Sequence, residues 1–341
     1  MRAVVIDSER RISVATRPDP ELPAADGAIV EVSATAICGS DLHFLEGHYP
    51  IDQPVSIGHE AVGVVVETGS EVTGFRSGDR VLVSSVSGCG RCAGCDTQDP
   101  VKCVRGPQIF GSGLLGGAQA DLLAVPAADF QLLAIPDGID TEQALLLTDN
   151  LATGWAAAKR ADIPMGGTVV VIGAGAVGQC AIRSAFTLGA ARVFAVDPVE
   201  ARRARATAVG AQALETPAAQ AVLEATGGLG ADAVIDAVGT DTSLDDAMTC
   251  VRTGGTLSVV GVHDLQPYPL PALVALLRSL TIRFTTAPVQ QTWPELIPLL
   301  QAGRLRVDGI FTGAMPLDDA AQAYAAAFSR SAEHLKVQLI P

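Results

Sequence analysis

The sequence predicts an α/β protein in which a doubly wound parallel sheet follows a separate β-rich domain. Three observations predict this: a length of 341 residues, short β segments in the first part of the chain, and a later alternation of strands and helices. A chain of this length is long for one hydrophobic core and suits two domains. The 48% hydrophobic content, with only 18% charged residues, is typical of a globular chain.

The first 150 residues are predicted to form an irregular β domain. Short apolar segments at Ala28–Val32, Gly63–Thr68 and Arg80–Ser84 are separated by turns rich in Gly, Pro and Asp. Long loops are expected between them.

From Thr168 onward, β-branched runs alternate with Ala-rich helical stretches, which indicates a parallel sheet with helices on both faces. The predicted elements are Thr168–Ile172, Val177–Leu188, Arg192–Asp197, Glu200–Val209, Ala233–Ala237, Leu244–Val251 and Thr256–Val260. The pattern fades near Phe284. Beyond it, the sequence predicts helices at Thr292–Gln301 and Asp318–Ser329 and a strand at Lys336–Ile340. The pattern alone allows this tail to extend the second domain or to return to the first.

The charge balance excludes some partners. With 23 basic and 37 acidic residues, the formal net charge of −14 repels phosphate backbones and anionic lipid heads. Nucleic acid and membrane are therefore not expected as partners. The N-terminal run from Met1 to Asp7 meets a charge too early to form a signal-peptide core, and no apolar run reaches the ~18 residues of a spanning helix. A cytoplasmic location is expected.

A glycine-rich loop follows the first strand of the second domain. The pattern G-x-G-x-x-G lies at a strand-to-helix turn, where backbone amides and the helix dipole bind a pyrophosphate. Asp197 ends the next strand 19 residues later, the distance expected for a carboxylate that accepts the ribose hydroxyls. This predicts a Rossmann domain. Its predicted contacts are Gly173, Gly175, Ala176, Val177, Gly178 and Asp197.

NAD is expected rather than NADP, because the carboxylate of Asp197 would repel a 2′-phosphate. Arg202 and Arg203 keep NADP open as an alternative. A purely structural alternative is that Asp197 caps the following helix.

Four of the seven cysteines lie within 15 residues, at Cys89, Cys92, Cys95 and Cys103. Four thiolates complete a tetrahedral zinc site with no position left for substrate, so this zinc is predicted to be structural. Buried or redox-active cysteines and an iron–sulfur cluster are the alternatives.

Two further segments carry ligand-type side chains. Residues 38–43 read Cys-Gly-Ser-Asp-Leu-His, and residues 58–60 read Gly-His-Glu. Cys38 and His59 offer zinc a thiolate and an imidazole. Taken alone, one Cys and one His in different loops are more often core residues than ligands.

Together with the cysteine cluster and the glycine loop, these segments resemble the zinc-containing medium-chain dehydrogenase/reductase family, which includes alcohol dehydrogenases. The resemblance covers essentially the whole chain. It implies a GroES-like catalytic domain at 1–150 with a structural zinc lobe at about 86–106. It also implies a Rossmann NAD-binding domain at 151–285 and a C-terminal segment, 286–341, that returns to the catalytic domain.

The resemblance implies a catalytic zinc held by Cys38 and His59, with Glu60 as a nearby or transient ligand. The third permanent ligand is Cys in many members and acidic in others. Residues 147–154 look like the bacterial secondary-alcohol branch, where an Asp occupies this place, so Asp149 is expected as the third ligand. A helix cap is the alternative for Asp149.

Further roles also come from the resemblance. Asp41 is expected to orient the ligating histidine. Ser40 and His43 match a proton relay from the alcohol to solvent, whereas a loop hydrogen bond and a surface position are their alternatives. Thr153 is expected near the nicotinamide and Lys336 near the pyrophosphate. An apolar substrate pocket is expected from Phe44, Leu45, Phe110, Leu114 and Trp155.

The implied function is oxidation of medium-sized, fairly apolar primary or secondary alcohols to aldehydes or ketones by a zinc- and NAD-dependent dehydrogenase. A related enzyme acting on a polyol, threonine or formaldehyde is the first alternative. A non-catalytic NAD-binding protein is an alternative of another class. A homodimer or homotetramer is expected, with Thr281–Thr285 as the edge strand through which the nucleotide sheets join.

Overall fold

The computed structural model describes residues 1–329 and 334–341. Its strands are β1 (Arg2–Ile6), β2 (Ile12–Thr16), β3 (Ala28–Ala36), β4 (Val55–Ser56), β5 (Ala61–Thr68), β6 (Arg80–Val83), β7 (Val86–Ser87), β8 (Gln108–Ile109), β9 (Leu122–Val125), β10 (Leu132–Ala134), β11 (Thr168–Ile172), β12 (Arg192–Val196), β13 (Gln212–Leu214), β14 (Ala231–Asp236), β15 (Val251–Val259), β16 (Thr281–Phe284), β17 (Gly313–Pro316) and β18 (Val337–Ile340). Its α-helices are α1 (Gly39–Glu46), α2 (Ala128–Gln131), α3 (Thr141–Thr148), α4 (Asn150–Arg160), α5 (Ala176–Thr187), α6 (Glu200–Ala208), α7 (Ala219–Ala225), α8 (Asp241–Cys250), α9 (Ala272–Leu277), α10 (Val289–Gln301) and α11 (Ala320–Phe328).

The chain divides into two compact units. The first unit comprises Met1–Ala152, Ala287–Gly303 and Phe311–Pro341, and the second comprises Thr153–Thr286 and Arg304–Ile310. The segment Arg304–Ile310 lies within residues 286–341, which were expected to return to the first domain.

Hydrogen bonds explain why residues 304–310 belong to the second unit. The guanidinium of Arg183 donates to the carbonyl of Asp308 at 3.2 Å, and that of Arg205 donates to the carbonyl of Gly309 at 3.1 Å. Two helices of the nucleotide sheet, α5 and α6, therefore hold this segment.

The first unit is built around β3. This strand pairs antiparallel with β5 and with β9, and the larger sheet runs in the order β10-β6-β5-β3-β18-β17. The C-terminal strand β18 pairs antiparallel with β3, with Leu339 opposite Thr35. The C-terminal strand β18 thus joins the sheet formed by β3, β5 and β6.

Among the described residues, two apolar clusters fill this unit. One lies under β3, β5, β6 and β9 and includes Val30, Val65 and Leu123. The other joins β1 and β18 to α11 through Val4, Leu339 and Tyr324. The second cluster includes Ile37, which follows β3, and Ile57, which precedes β5, so it packs against both of these loops.

The second unit contains a six-stranded parallel sheet in the order β13-β12-β11-β14-β15-β16. This is the doubly wound Rossmann strand order. Successive residues of β11 enter different cores, with Val169 and Val171 on one face and Val170 and Ile172 on the other. Helices α5 and α6 cover the first face, whereas α7 and α8 cover the second.

Three elements of the second unit, β13, α7 and α9, were not predicted. They contain three, seven and six residues. Segments this short have too few turns or alternations to show a period. Among the described helices, none is both long and apolar enough to cross a membrane.

Candidate active site and metal centres

The first ligand-type side chain lies where β3 ends and α1 begins. Cys38 is the N-cap residue of α1, and its backbone N–H donates to Asp41 Oδ2 at 2.9 Å. This capping interaction satisfies an amide that the helix leaves unpaired. It also fixes the direction of the Cys38 side chain, which is buried.

His59 lies just before β5, and its two ring nitrogens have different neighbours. Nδ1 is 3.2 Å from Asp41 Oδ1, and Nε2 is 3.5 Å from Asp149 Oδ2. Asp41 also accepts a hydrogen bond from Gln119, which in turn accepts one from Tyr324. A buried polar chain therefore orients the imidazole and directs Nε2 toward Asp149.

Asp149 lies between α3 and α4, and its carboxylate is close to both Cys38 and His59. Its Oδ2 lies 3.4 Å from Cys38 Sγ, and Ser85 Oγ lies 3.3 Å from its Oδ1. The amide of Asn150 lies within 3.0–3.5 Å of Asp149 Oδ2, Glu60 Oε1 and Cys38 Sγ. One ligand atom from each of Cys38, His59, Glu60 and Asp149 lies within 4.8 Å of the others.

Lys336 lies beside the metal-ligand cluster. Its ammonium is fully buried in the first unit, 2.7 Å from Glu60 Oε1, and its expected contact with the pyrophosphate stays a prediction. Burial opposes protonation of Lys336, but the charge and hydrogen bond of Glu60, together with the charges of Cys38 and Asp149, outweigh burial and raise its pKa. Burial also raises the pKa of Glu60, and Lys336 opposes that shift. Lys336 is where it is because β18 begins at the next residue and pairs with β3.

The electrostatics of this cluster favour a cation. Burial opposes protonation of His59, but the negative charges of Asp41 and Cys38, together with hydrogen bonds to Asp149 and Asp41, raise its pKa well above its ordinary value. Burial likewise opposes ionisation of Asp149, yet the hydrogen bond and charge of His59 hold the pKa of this carboxyl at about 2. Negative charge is thus concentrated where the ligand atoms meet.

The donor set fits zinc. A thiolate, an imidazole and a carboxylate are the ligands that catalytic zinc uses, and neighbouring ligand atoms of a tetrahedral site lie about 3.3–3.6 Å apart. The separations from Asp149 Oδ2 to Cys38 Sγ and to His59 Nε2 are 3.4 and 3.5 Å. Glu60 Oε2 is buried without a hydrogen-bond partner, as expected of an oxygen in reserve for a cation.

The four-cysteine lobe forms a second candidate metal centre. The Sγ atoms of Cys89, Cys92, Cys95 and Cys103 all lie within 4.8 Å of one another, and those of Cys92 and Cys95 are 3.6 Å apart. Backbone amides of Cys89 and Val104 donate to two of the sulfurs. The turn is tight at Gly94, where a Cβ would lie 1.8 Å from the carbonyl oxygen of Lys102.

The thiols of this lobe differ in acidity. The backbone hydrogen bond from Val104 lowers the pKa of Cys92 to about 6, whereas burial raises the pKa of Cys95 to about 12. Among the residues that the structure describes, no cysteine forms a disulfide bond. Cys180 and Cys250, outside both clusters, are buried in α5 and α8.

In the second unit, the glycine loop connects β11 to α5. Gly173 has a φ of +86°, a conformation that disfavours any side chain, and Gly175 is the N-cap residue of α5. A Cβ at Gly178 would lie 1.7 Å from the Gly173 carbonyl oxygen, so this glycine lets the helix approach the strand.

Asp197 is buried beside this loop. Its two oxygens accept backbone hydrogen bonds from Ala174 at 2.9 Å and Val199 at 2.8 Å. Arg202 lies 3.8 Å from Asp197, whereas Arg203 donates to backbone carbonyls and to Glu215. Asp197 therefore both supports the loop and remains beside the position expected for a ribose.

The residues expected in the proton relay, near the nicotinamide and in the substrate pocket lie in different parts of the structure. Ser40 Oγ lies 3.3 Å from His59 Nε2, and His43 lies one helical turn along α1. Thr153 is a half-buried residue of α4. Of the expected pocket residues, Phe110 belongs to the core of the first unit and Leu114 is 77% exposed, because the loop that carries both turns sharply between them.

Sequence reasoning missed several residues that support the cluster. Asn150, Ser85, Gln119 and Tyr324 have no spacing signal, because they approach the ligands only through the folding of distant segments. Asn150 alone offered a clue, since it follows Asp149 directly.

Comparisons with known proteins agree with this geometry. Residues 24–137 match the family model "Alcohol dehydrogenase GroES-like domain", and residues 176–302 match "Zinc-binding dehydrogenase". A "Probable zinc-binding alcohol dehydrogenase" of Mycobacterium tuberculosis is 66% identical over 341 residues, covering 100% of this chain and 89% of the relative. The chain belongs to the zinc-containing medium-chain dehydrogenase/reductase family. Both the family resemblance and the predicted fold class are confirmed.

Solved structures of zinc-containing medium-chain dehydrogenases share the fold. Alcohol dehydrogenase TADH from Thermus sp. ATN1 superposes with a TM-score of 0.92 at 34% identity, covering 100% of this chain and 99% of that one. A zinc-binding dehydrogenase from Sinorhizobium meliloti bound to NADP has a TM-score of 0.85 at 28% identity, with coverages of 100% and 99%. The GroES-like and Rossmann parts of this chain are therefore both those of a zinc-type alcohol dehydrogenase.

Proposed function

We propose that this zinc-type alcohol dehydrogenase transfers a hydride between an alcohol and NAD, giving an aldehyde or a ketone. The observation that carries the proposal is the convergence of Cys38, His59 and Asp149 from three distant segments, with ligand atoms 3.4–3.5 Å apart around Asp149 Oδ2. Glu60 is a reserve ligand held by Lys336.

These residues would hold a catalytic Zn²⁺. A bound Zn²⁺ would act as a Lewis acid on the oxygen of the alcohol or carbonyl substrate. One thiolate, one carboxylate and one neutral imidazole balance its charge. Asp41 keeps the imidazole in the tautomer with its proton on Nδ1, which leaves Nε2 as the ligand atom.

Ser40 and His43 are proposed to move the proton. Ser40 Oγ lies at the cluster, 3.3 Å from His59 Nε2, where it can accept the proton of an alcohol hydroxyl. His43 lies three residues later on the same helix face and is partly exposed, with 18% of its side-chain surface accessible. A histidine side chain suits release of the proton to solvent, since an unperturbed imidazole titrates at a pKa of ~6.5.

The glycine loop of the second unit is proposed to bind NAD. Gly173, Gly175 and Gly178 leave room for a pyrophosphate at the N-terminus of α5, and Thr153 is proposed to lie near the nicotinamide. Asp197 favours NAD, whereas Arg202, 3.8 Å from that carboxylate, supports NADP as the alternative. The structure of the Sinorhizobium meliloti relative, which is bound to NADP, also supports NADP as the alternative cofactor.

The cysteine lobe is proposed to hold a structural Zn²⁺. The four sulfurs supply the closed tetrahedral set, and the 3.6 Å separation of Cys92 and Cys95 Sγ is near the ~3.7 Å edge of a ZnS₄ tetrahedron. Two zinc ions per chain are therefore expected.

A homo-oligomer is proposed from the second unit. β16 forms an edge of the parallel sheet, as expected for residues 281–285. Beside it, Leu276, Leu277 and Phe284 are 72%, 73% and 61% exposed, which is unusual for large apolar side chains in water. Light scattering distinguishes a dimer from a tetramer. A cytoplasmic location stays a prediction from the sequence.

The test is a metal count on the purified protein combined with NAD- and NADP-coupled assays of primary and secondary alcohols, polyols, threonine and formaldehyde. We expect two zinc ions per chain and highest kcat/KM with apolar alcohols and NAD. Highest kcat/KM with a polyol would favour the related-dehydrogenase alternative. Tight NADH binding without turnover on any substrate would favour a non-catalytic NAD-binding protein.

A further inference from the structure

A third group of metal-ligating side chains lies at the C-terminal end of α1. It consists of His43, Glu46 and His48, and one ligand atom from each lies within 4.8 Å of the other two. We propose that these side chains form an accessory site for a divalent transition metal such as Zn²⁺ or Ni²⁺. Neither Glu46 nor His48 has a role in the proposed reaction.

The separations suit a small metal ion. His43 Nδ1 lies 3.1 Å from Glu46 Oε2 and 2.9 Å from His48 Nδ1, while His48 Nδ1 lies 4.0 Å from Glu46 Oε2. Ligand nitrogens and oxygens of a tetrahedral zinc site lie about 3.3 Å apart, so small side-chain rotations complete the geometry. Three protein ligands leave one position for water.

The backbone holds the arrangement in place. His43 and Glu46 are three residues apart on α1 and share a face. Gly47 adopts a left-handed conformation, φ 91°, and the backbone N–H of His48 donates to the carbonyl of His43 at 3.0 Å. This reversal stacks the His48 ring on the His43 ring, with centroids 4.8 Å apart.

Arg10 secures the same turn from the β1–β2 hairpin. Its guanidinium donates to the carbonyl oxygen of Phe44 and, at 3.4 Å, to that of Tyr49. The segment that carries the three ligands is therefore held by these hydrogen bonds before a metal binds. This reduces the conformational entropy that is lost on metal binding. The positive charge of Arg10 and the single carboxylate make the site weaker than the two cysteine-containing centres.

The ligand chemistry selects the metal. Imidazole nitrogen suits Zn²⁺, Ni²⁺ and Cu²⁺, whereas Mg²⁺ and Ca²⁺ prefer oxygen. Side-chain exposures of 18%, 21% and 33% for His43, Glu46 and His48 leave the ligands within reach of ions in solution.

A metal ion bound to His43, Glu46 and His48 is expected to affect turnover, and this expectation rests on the proposed function. If His43 passes the proton to solvent, a metal on its Nδ1 blocks that step, and excess zinc inhibits turnover. The metal site itself is independent of this consequence.

The test is a calorimetric titration of Ni²⁺ into the zinc-loaded protein, with metal counting after equilibrium dialysis. We expect one additional ion per chain. In His48→Gln and in Glu46→Gln, the affinity for this ion is expected to fall at least about tenfold. His263→Gln, a histidine variant in the second unit, controls for non-specific histidine binding and is expected to titrate like the wild type.

Absence of the additional ion, or the same affinity in His48→Gln as in the wild type, would overturn the site. Because these readouts are not enzymatic, they decide it even for a protein that oxidises no alcohol. In an active protein, added Zn²⁺ is expected to inhibit the wild type and to inhibit His48→Gln only at about tenfold higher concentration. Equal inhibition of both would overturn the proposed link to His43.

Discussion

The ammonium of Lys336 lies 2.7 Å from Glu60 Oε1, and both side chains are completely buried. The two residues are 276 positions apart in the sequence. A buried ion pair of this kind holds the C-terminal strand against the segment that carries His59. It also places a positive charge beside Glu60, the proposed reserve ligand of the catalytic zinc.

Replacing Lys336 with Met is expected to lower the free energy of unfolding by about 3–5 kcal/mol, because the carboxylate of Glu60 is left buried and unpaired. The double variant Lys336→Met with Glu60→Gln is expected to recover much of this loss, since no charge is then stranded. Urea unfolding of the zinc-loaded proteins measures both. Lys159→Met, at an exposed position of α4, is the control. A double variant no more stable than Lys336→Met would contradict the pairing argument.

Asp149→Ala is expected to remove one zinc per chain and to lower kcat/KM at least about 10³-fold, because a Lewis acid contributes several kcal/mol to such reactions. Elemental analysis and steady-state kinetics check the two effects together. Asp52→Asn, at an exposed aspartate of the same unit, should leave both unchanged.

Cys92→Ser tests the proposed structural zinc, in contrast to Asp149→Ala, which tests the proposed catalytic zinc. It is expected to remove the other zinc and to lower the melting temperature, because the lobe loses a metal that closes its loops. Should Asp149→Ala and Cys92→Ser deplete the same zinc, the assignment of two separate centres would be wrong.

Asp197→Ser is expected to shift cofactor preference toward NADP. Removal of the carboxylate ends its repulsion of a 2′-phosphate and frees Arg202, now 3.8 Å away, to contact that phosphate. The ratio of kcat/KM for NADP to that for NAD is expected to rise about 10–100-fold. Adding Arg202→Ala should reverse much of the rise. Asp162→Ser, at an exposed aspartate of the same unit, should not change the ratio.

Asp232 is expected to make stability pH-dependent. It accepts hydrogen bonds from the backbone of Thr168 and from Arg252, each at 2.8 Å. Burial raises the pKa of Asp232, but these two partners outweigh burial and lower it. Because the pKa of Asp232 is lower in the folded protein than the unfolded value of ~3.9, ionised Asp232 stabilises the folded protein above pH ~3.9. This stabilisation is lost as the pH falls below that value and through the folded-state pKa.

Asp232→Asn is accordingly expected to cost about 1 kcal/mol at pH 7, because solvent screens the partly exposed pair and reduces the usual contribution of hydrogen bonds to a charged group. The difference from the wild type should stay constant down to about pH 4.5 and shrink below about pH 4. Urea unfolding across this range measures it. A difference that grows as pH falls would contradict the assignment of the bonds to the ionised carboxylate.

Much of the second unit was predictable because its signals are local. The prediction of Thr168–Ile172 as a strand matches β11 at both ends, and the helices predicted near 177 and 200 begin within one residue of α5 and α6. Buried parallel strands are continuous β-branched runs, and the glycine loop needs small residues at fixed spacing. The cysteine lobe was visible for the same reason, since four Cys within 15 residues are typical of a structural zinc site, whereas Cys38, His59 and Asp149 were predicted as ligands only through the family resemblance.

The sequence by itself determined the family, the doubly wound sheet and the donor types, because periodicity, glycine spacing and cysteine spacing are short-range properties of the chain. Only the tertiary structure decided which side chains meet. Cys38 and Asp149 approach across 111 residues, and Lys336 pairs with Glu60 across 276. Such contacts depend on strand pairing and on burial of charge, which no local pattern encodes.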